Sequence, residues 1–233
     1  MRVLALDTTT RAGSVAIVDD DAVVDERCGD GTRTHAERLP AEILALADAN
    51  HVAFASVDLF AVASGPGSFT GLRVGIATMQ GFAFVQRRQM VGISALMALA
   101  QFASRDLPAG ARVAAWMDAY RRDVFAALYE VTDAPLFDVD RLLEVEGPSV
   151  GSPAATWARW ADGFGVPQTV VGDGAVLYQE MLAPVRILPP PPLAGTIGLL
   201  AAGYARRGAT VPPSSMHPLY VRRPDVEVTR DRR

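Results

Sequence analysis

Two short stretches carry residue types that could do chemistry. Near the N-terminus, the apolar run Arg2 to Leu6 ends in Asp7-Thr8-Thr9-Thr10, a carboxylate followed by three hydroxyls. Further on, Ser64-Gly65-Pro66-Gly67-Ser68 forms a tight turn, with two glycines to supply positive φ and a proline between them. A glycine-rich turn that opens a helix is a ready anion seat, because unpaired N–H groups point out of it. A phosphotransferase would need a catalytic carboxylate, for which Asp7 and Asp118 could be argued. The common phosphate motifs do not fit. A Walker loop needs a lysine after its second glycine, and all 22 basic residues here are Arg. The dinucleotide fingerprint fails by one position, since Gly65 and Gly67 are followed by Gly71 and position 70 is Thr. The loop is therefore either an anion cradle or a tight turn.

Metal chemistry has little to stand on. His35, His51 and His217 are the only histidines, and no His-x-x-x-His pair exists. Cys28 is alone, so there is no disulfide framework and no cysteine metal cluster. Asp19-Asp20-Asp21 lacks the further ligand spacing of a calcium loop and reads as a solvated turn. Without lysine, no Schiff base or ammonium phosphate ligand can form.

The elements that must hold these residues follow from periodicity. Val57 to Ala63 is a short apolar run bounded by polar residues, hence a buried strand. Thr70 to Gln86 makes about four and a half helical turns. Leu72, Ile76, Met79 and Ala83 form one stripe of it, while Val74, Ala77, Gly81, Phe84 and Val85 cover much of the rest. A helix apolar nearly all round is buried on more than one side. One side is expected to face its own sheet and the other a second protein. Upstream, Arg2–Leu6, Ser14–Val18 and Ala22–Arg27 read as an antiparallel meander. Thr34-His35-Ala36-Glu37 is a capping box opening a helix through Asn50, with Leu39, Ile43 and Leu46 on one face and Pro40 predicting a bend or a late start. Met90–Ile93 is a strand, and Ser94 caps a helix from Ala95 to about Ser104. Pro153 to Asp162 is a helix, Thr169 to Val171 a strand, Gly172 to Leu182 a turn and helix, Pro189 to Pro192 a stiff connector, and Ala194 to Arg207 a helix.

The chain also starts over. Arg112 to Met117, Asp118, a polar turn and Val124 to Leu128 echo Arg2 to Leu6, Asp7, a polar turn and Ser14 to Val18. With 233 residues, the length suits two lobes, here 1–107 and 108–215, followed by an Arg-rich tail, 216–233, either solvated or contacting phosphate. The net charge is −4 and the pI about 5.4, which argues against this chain holding nucleic acid alone. No apolar run reaches 18 residues and no secretion signal leads the chain, so a cytoplasmic location without a membrane span is expected.

The opening Asp7-Thr8-Thr9-Thr10, the segment HAERLP from His35 to Pro40, the block SGPGSFTGLRVGIATMQGFA, the turn GDGA from Gly172 and the ending Pro218-Leu219-Tyr220-Val221-Arg222 together resemble the TsaB (YeaZ) family over nearly the whole chain. The block from Ser64 to Ala83 is the specific part. That resemblance implies an α/β, actin-like (ASKHA, sugar kinase/Hsp70-type) two-lobe fold with mixed sheets flanked by helices. It implies a non-catalytic subunit that binds the transferase TsaD, joined by the ATPase TsaE. The complex would transfer threonylcarbamoyl to the adenosine 3′ of the anticodon in tRNAs reading codons that start with A. The family's partner contact uses the helices corresponding to His35–Asn50 and Thr70–Gln86. The partner-facing residues are therefore expected to be His35, Leu39, Ile43, Leu72, Ile76, Met79 and Ala83, with a homodimer through the same face when the chain is alone. Asp7, Thr8, Thr9, Gly65, Gly67 and Ser68 are the expected nucleotide-facing loops. No cofactor would be held tightly, and ATP or ADP would sit only at the interface with TsaD. tRNA would be met through the complex. The family's catalytic relative places a metal-binding histidine pair on the helix that here reads Ser94-Ala95-Leu96-Met97-Ala98-Leu99, and Leu and Ala cannot ligate a metal. Kinases of the fold place Gly where Thr9 stands, and Thr9 crowds a phosphate. The alternative is an independent ATP-dependent phosphotransferase or ATPase of the same fold. A metallopeptidase lacks its ligands.

Overall fold

The computed structural model describes residues 1–222. Two five-stranded mixed sheets organise it. The first contains β1 (Arg2–Asp7), β2 (Ser14–Asp19), β3 (Ala22–Cys28), β4 (Leu59–Gly65) and β5 (Gln89–Ser94) in the order β3-β2-β1-β4-β5. The second contains β6 (Arg112–Asp118), β7 (Val124–Val131), β8 (Leu142–Gly151), β9 (Thr169–Val171) and β10 (Arg186–Leu188) in the order β10-β9-β6-β7-β8. Each sheet begins with three antiparallel strands and adds two parallel ones beside the first of them. The repeat read in the sequence thus extends to five strands.

The helices cover the sheets in layers. α1 (His35–Ala49) and α2 (Phe69–Gln86) lie on the outer face of the first sheet, where Leu4, Leu6, Val15, Phe60 and Val62 meet Leu39, Ile43, Ile76 and Met79. α3 (Ala95–Ala103) and α7 (Ala194–Arg206) fill the middle. α3 packs mainly on the second sheet. α7, although drawn from the 108–215 half, packs on every strand of the first. The facing residues are small, among them Ala5, Ala16, Ala61, Ala115 and Ala127, so the backbones approach closely. At Gly198 of α7 a Cβ would lie 2.6 Å from Val18 Cγ2. α4 (Pro153–Gly163) and the short helices α5 (Asp173–Leu177) and α6 (Gln179–Leu182) cover the outer face of the second sheet, over Trp116 and Leu128. Each large side chain buried in these layers contributes roughly 1.5–3 kcal/mol relative to exposure.

Local differences from the sequence have physical reasons. α1 starts at His35 with Pro40 inside it on the exposed side, so there is no late start. Glu37 accepts from the Thr34 N–H at 2.9 Å and from its hydroxyl at 2.7 Å, as the capping box predicts. The helix expected through Leu182 breaks at Tyr178, whose φ of −112° and ψ of 24° are not helical. No described helix is long and apolar enough to cross a membrane. Most of the Arg-rich tail, 223–233, lies outside the described residues.

Candidate functional site

The turn after β1 is held by its own carboxylate. Asp7 Oδ1 accepts from the Thr9 N–H at 2.8 Å and from the Thr9 hydroxyl at 2.7 Å. His35 and Arg38, at the start of α1, clamp the far side of the same turn. His35 Nε2 lies 2.9 Å from the Thr10 carbonyl, and the Arg38 guanidinium donates to the Arg11 and Ala12 carbonyls while pairing with Glu42. Gly29 makes room for that guanidinium, since a Cβ there would overlap it. His35 is thus a clamp of the first turn. Burial pushes its imidazole below the usual histidine range, which keeps it neutral at pH 7.

The glycine loop closes over this turn. Ser68 N donates to the Thr9 carbonyl at 2.8 Å. A Cβ on Gly67 would lie 2.6 Å from Thr9 Cβ, one on Gly71 2.2 Å from the Thr8 carbonyl oxygen, and one on Gly75 2.1 Å from Thr8 Oγ1. The three glycines stand four residues apart on one side of the loop and helix, and together they seat α2 on Thr8 and Thr9. Both threonines are buried in consequence. The expected nucleotide-facing loops therefore separate. Thr8, Thr9 and Gly67 are packed against one another. Gly65 faces the Leu219 carbonyl. Ser68 caps α2, accepting from Gly71 N at 3.2 Å. Asp7 lines a cavity of about 360 Å³ between the two sheets.

That cavity is bounded by Asp7, Ser14, Met117, Asp173 and the Pro190–Pro192 segment, with two carboxylates and no Arg or His in its walls. Burial pushes the Asp7 carboxyl above the usual range, against the opposing pull of its Thr9 bonds, and the negative charges of Glu26 and Asp173 push the same way. Asp173 is raised chiefly by burial too. The N-terminus of α7 at the cavity edge is already capped. Ser14 Oγ accepts from Leu193 N and Ala194 N at 3.1 and 2.9 Å, and Glu26 Oε1 accepts from Gly195 N at 2.8 Å. The chain's own oxygen atoms occupy the seat an anion would take. The cavity thus presents two buried carboxyls beside a helix end that is already capped.

The second half repeats the first arrangement with different cover. Asp118 ends β6, and its Oδ1 accepts from Tyr120 N at 2.8 Å, the same two-residue turn as Asp7 and Thr9. Gly172 and Gly174 seat the following helix on Trp116 to Asp118, and Asp173 Oδ1 accepts from Asp118 N at 3.0 Å. Among the described residues no helix roofs this turn, and Arg222 meets it from the side, donating to the Ala119 carbonyl and to Asp123. Tyr120, Arg121 and Arg122 all have φ near +60°, and the Tyr120 side chain is 66% exposed. Left-handed backbone costs roughly 1–2 kcal/mol per non-glycine residue.

The expected partner face needs correction. Leu39, Ile43, Leu72, Ile76, Met79 and Ala83 are all 4% exposed or less, and all but Leu72 belong to the core between α1, α2 and the first sheet. They cannot touch another molecule without unfolding their own. The outward sides of the same helices carry Ala41, Leu44 and Ala45 on α1, and Ala77, Gly81, Phe84 and Val85 on α2. Phe84 and Val85 are 77% and 73% exposed. This second apolar stripe was visible in the sequence. The signal that separates the two is size and regularity. The stripe of long aliphatic residues takes the sheet, and the stripe of small ones ending in Phe84-Val85 is left outside. The roles of Arg38 and Glu26 had no sequence signal, because each depends on a contact between distant segments. Among the described residues, no group of three His, Cys, Asp or Glu side chains could hold a metal ion.

Known proteins share this architecture. A family model described as TsaD: tRNA N6-adenosine threonylcarbamoyltransferase matches residues 29–157. The tRNA threonylcarbamoyladenosine biosynthesis protein TsaB of Escherichia coli strain K12 is 31% identical over 237 residues, covering 95% of this chain and 95% of that protein. The crystal structure of YeaZ from Pseudomonas aeruginosa superposes with a TM-score of 0.76 at 31% identity, over 94% of this chain and 99% of that one. The activator of the 2-hydroxyisocaproyl-CoA dehydratase from Clostridium difficile, with bound ADPNP, shares the fold with a TM-score of 0.52 at 14% identity, over 90% of this chain and 96% of that one. Two mixed sheets flanked by helices are the actin-like arrangement.

Proposed function

This chain belongs to the TsaB (YeaZ) family, with a role in tRNA threonylcarbamoyladenosine biosynthesis, and on that premise we propose that it is a non-catalytic scaffold subunit docking TsaD through the outward face of α1 and α2. One observation carries the reading. Phe84 and Val85 stand in water at the end of a stripe that includes Ala77 and Gly81. Gly81 sharpens it, because a Cβ there would meet nothing within 4 Å. Glycine inside a helix costs roughly 0.5–1 kcal/mol relative to alanine. No contact among the described residues calls for it, whereas the backbone of a second helix pressed close would. An exposed apolar patch of this kind favours association. The free chain is then a homodimer through the face that TsaD takes in the complex, with TsaE joining the pair. The complex serves tRNAs reading codons that start with A, in the cytoplasm. Nucleotide sits at the joint interface with TsaD. The carboxylate-lined cavity and the capped α7 end support the absence of independent phosphotransfer.

Phe84→Asp and Val85→Asp test the face. Both should run as monomers on a sizing column and fail to retain TsaD, with helical circular dichroism unchanged. A dimer that persists in both variants together with TsaD capture would place the contact elsewhere. ATP turnover by the isolated chain would defeat the non-catalytic assignment.

A further inference from the structure

A second and larger cavity, of about 580 Å³, lies between the first turn of α2, the Asp118–Asp123 turn and the chain segment 219–222. The last segment is firmly placed. Leu219 N donates to the Ser64 carbonyl at 2.7 Å, and Arg222 donates to the Ala119 carbonyl at 2.9 Å and to Asp123 Oδ2 at 2.5 Å. Three aromatic rings stand at the cavity with much of their surface in water. Phe69 and Tyr220 are 5.4 Å apart, and Tyr120 comes from the exposed turn of the other half. The Arg73 guanidinium lies 4.0 Å over the Phe69 ring, and its Nε donates to the Tyr220 hydroxyl at 2.9 Å. Arg121 and Arg222 are among the described residues of the wall, and Arg222 is paired there with Asp123. In a chain with 26 acids and 22 bases, this is an aromatic spot with guanidinium groups around it.

We propose that this cavity receives an unstacked base of single-stranded RNA on its exposed aromatic rings, with the adjoining phosphate beside the Arg73 guanidinium that lies over Phe69; the proposal rests on the reading of the chain as part of a tRNA-modifying assembly. The chemistry is complementary on both counts. Every base has a π-face that stacks on an exposed aromatic ring, and guanidinium groups both stack and attract phosphate. The volume lies within the range of small-ligand sites and suits one nucleotide. One stacked base and a few cations add to the affinity of an assembly without holding RNA alone, which agrees with the chain's acidic balance.

The test uses the full chain assembled with its cognate TsaD and TsaE, and a fluorescently labelled substrate tRNA. Tyr120→Ala should weaken tRNA binding by about fivefold to a hundredfold, the range for loss of one base–aromatic stack. Tyr120→Phe should restore most of it, because the ring remains. TsaD capture should survive both changes, since Tyr120 is on the surface and outside the α1–α2 face. Unchanged tRNA affinity in Tyr120→Ala overturns the proposal. So does a weakened affinity for ATP with tRNA unaffected, which would make the cavity a mononucleotide site, or a loss of TsaD, which would make it a protein contact. If the wild-type assembly neither binds nor modifies tRNA, the functional reading itself fails and this inference falls with it.

Discussion

The turn after β1 and the turn after β6 are built alike and finished differently. Each ends a central strand in an aspartate whose Oδ1 takes the N–H two residues on, at 2.8 Å in both. Each is seated under a glycine loop that follows a parallel strand. In the first half that loop runs on into the 18 residues of α2, which roofs Thr8 and Thr9 and offers a second apolar side to solvent. In the second half it leads to the five residues of α5, and the turn, with three left-handed residues, has no helix over it among the described residues. One arrangement thus carries a long helix with an exposed apolar side in the first half and an exposed loop in the second.

The comparison can be broken most severely at the glycines. Gly71→Ala and Gly172→Ala each drive a Cβ into a backbone carbonyl, at 2.2 and 2.0 Å, so both should cost about 3 kcal/mol by urea denaturation if the two seats are equivalent. A large loss in one half only would mean that the halves are not packed alike. Next come paired substitutions on α2. Met79→Asp buries a charge in the core and should lower the melting temperature sharply, whereas Phe84→Asp should leave it nearly unchanged and weaken association by about thirtyfold or more. The reverse result would exchange the inner and outer faces.

A smaller effect separates stability from function at Asp7. Burial raises its carboxyl, so the native state disfavours the charged form. The stability it allows is complete below the unfolded value near 3.8 and is lost as the pH rises through the raised native value. Asp7→Asn should keep both Thr9 bonds and be more stable than the wild type at pH 7, with the gain vanishing in acid. Equal stability across a pH series would show that Asp7 carries no such burden. Smallest is Gly81→Ala, which should stabilise the free chain by about 0.5–1 kcal/mol while loosening the dimer and the TsaD complex. Tighter association would remove the close-approach argument.

Much of the architecture was legible because it rests on local pattern. The meander, β4, α2, α3 and α7 announce themselves through apolar periodicity, caps and glycine turns. β8 and β10 do not. β8 contains Gly147 and Pro148 and shifts register against β7, which only an edge strand tolerates, and β10 has three residues. The site was harder. The sequence showed that α2 is apolar on two sides, yet which side meets the sheet depends on where Gly71 and Gly75 touch Thr8, a contact across more than sixty residues of chain. Likewise, a glycine loop looks the same whether it cradles an anion or packs on a threonine. Only the position of Thr9 decides it.

The exchange of inner helices has a consequence for how the molecule is made. The first sheet waits for α7, the last helix synthesised, to cover it, while α3 has already been given to the other side. Neither 1–107 nor 108–222 holds a complete set of layers, so each expressed alone should be insoluble. Mixed during refolding, the two pieces should recover one another, as strands of a knot tied only when the final end is passed through.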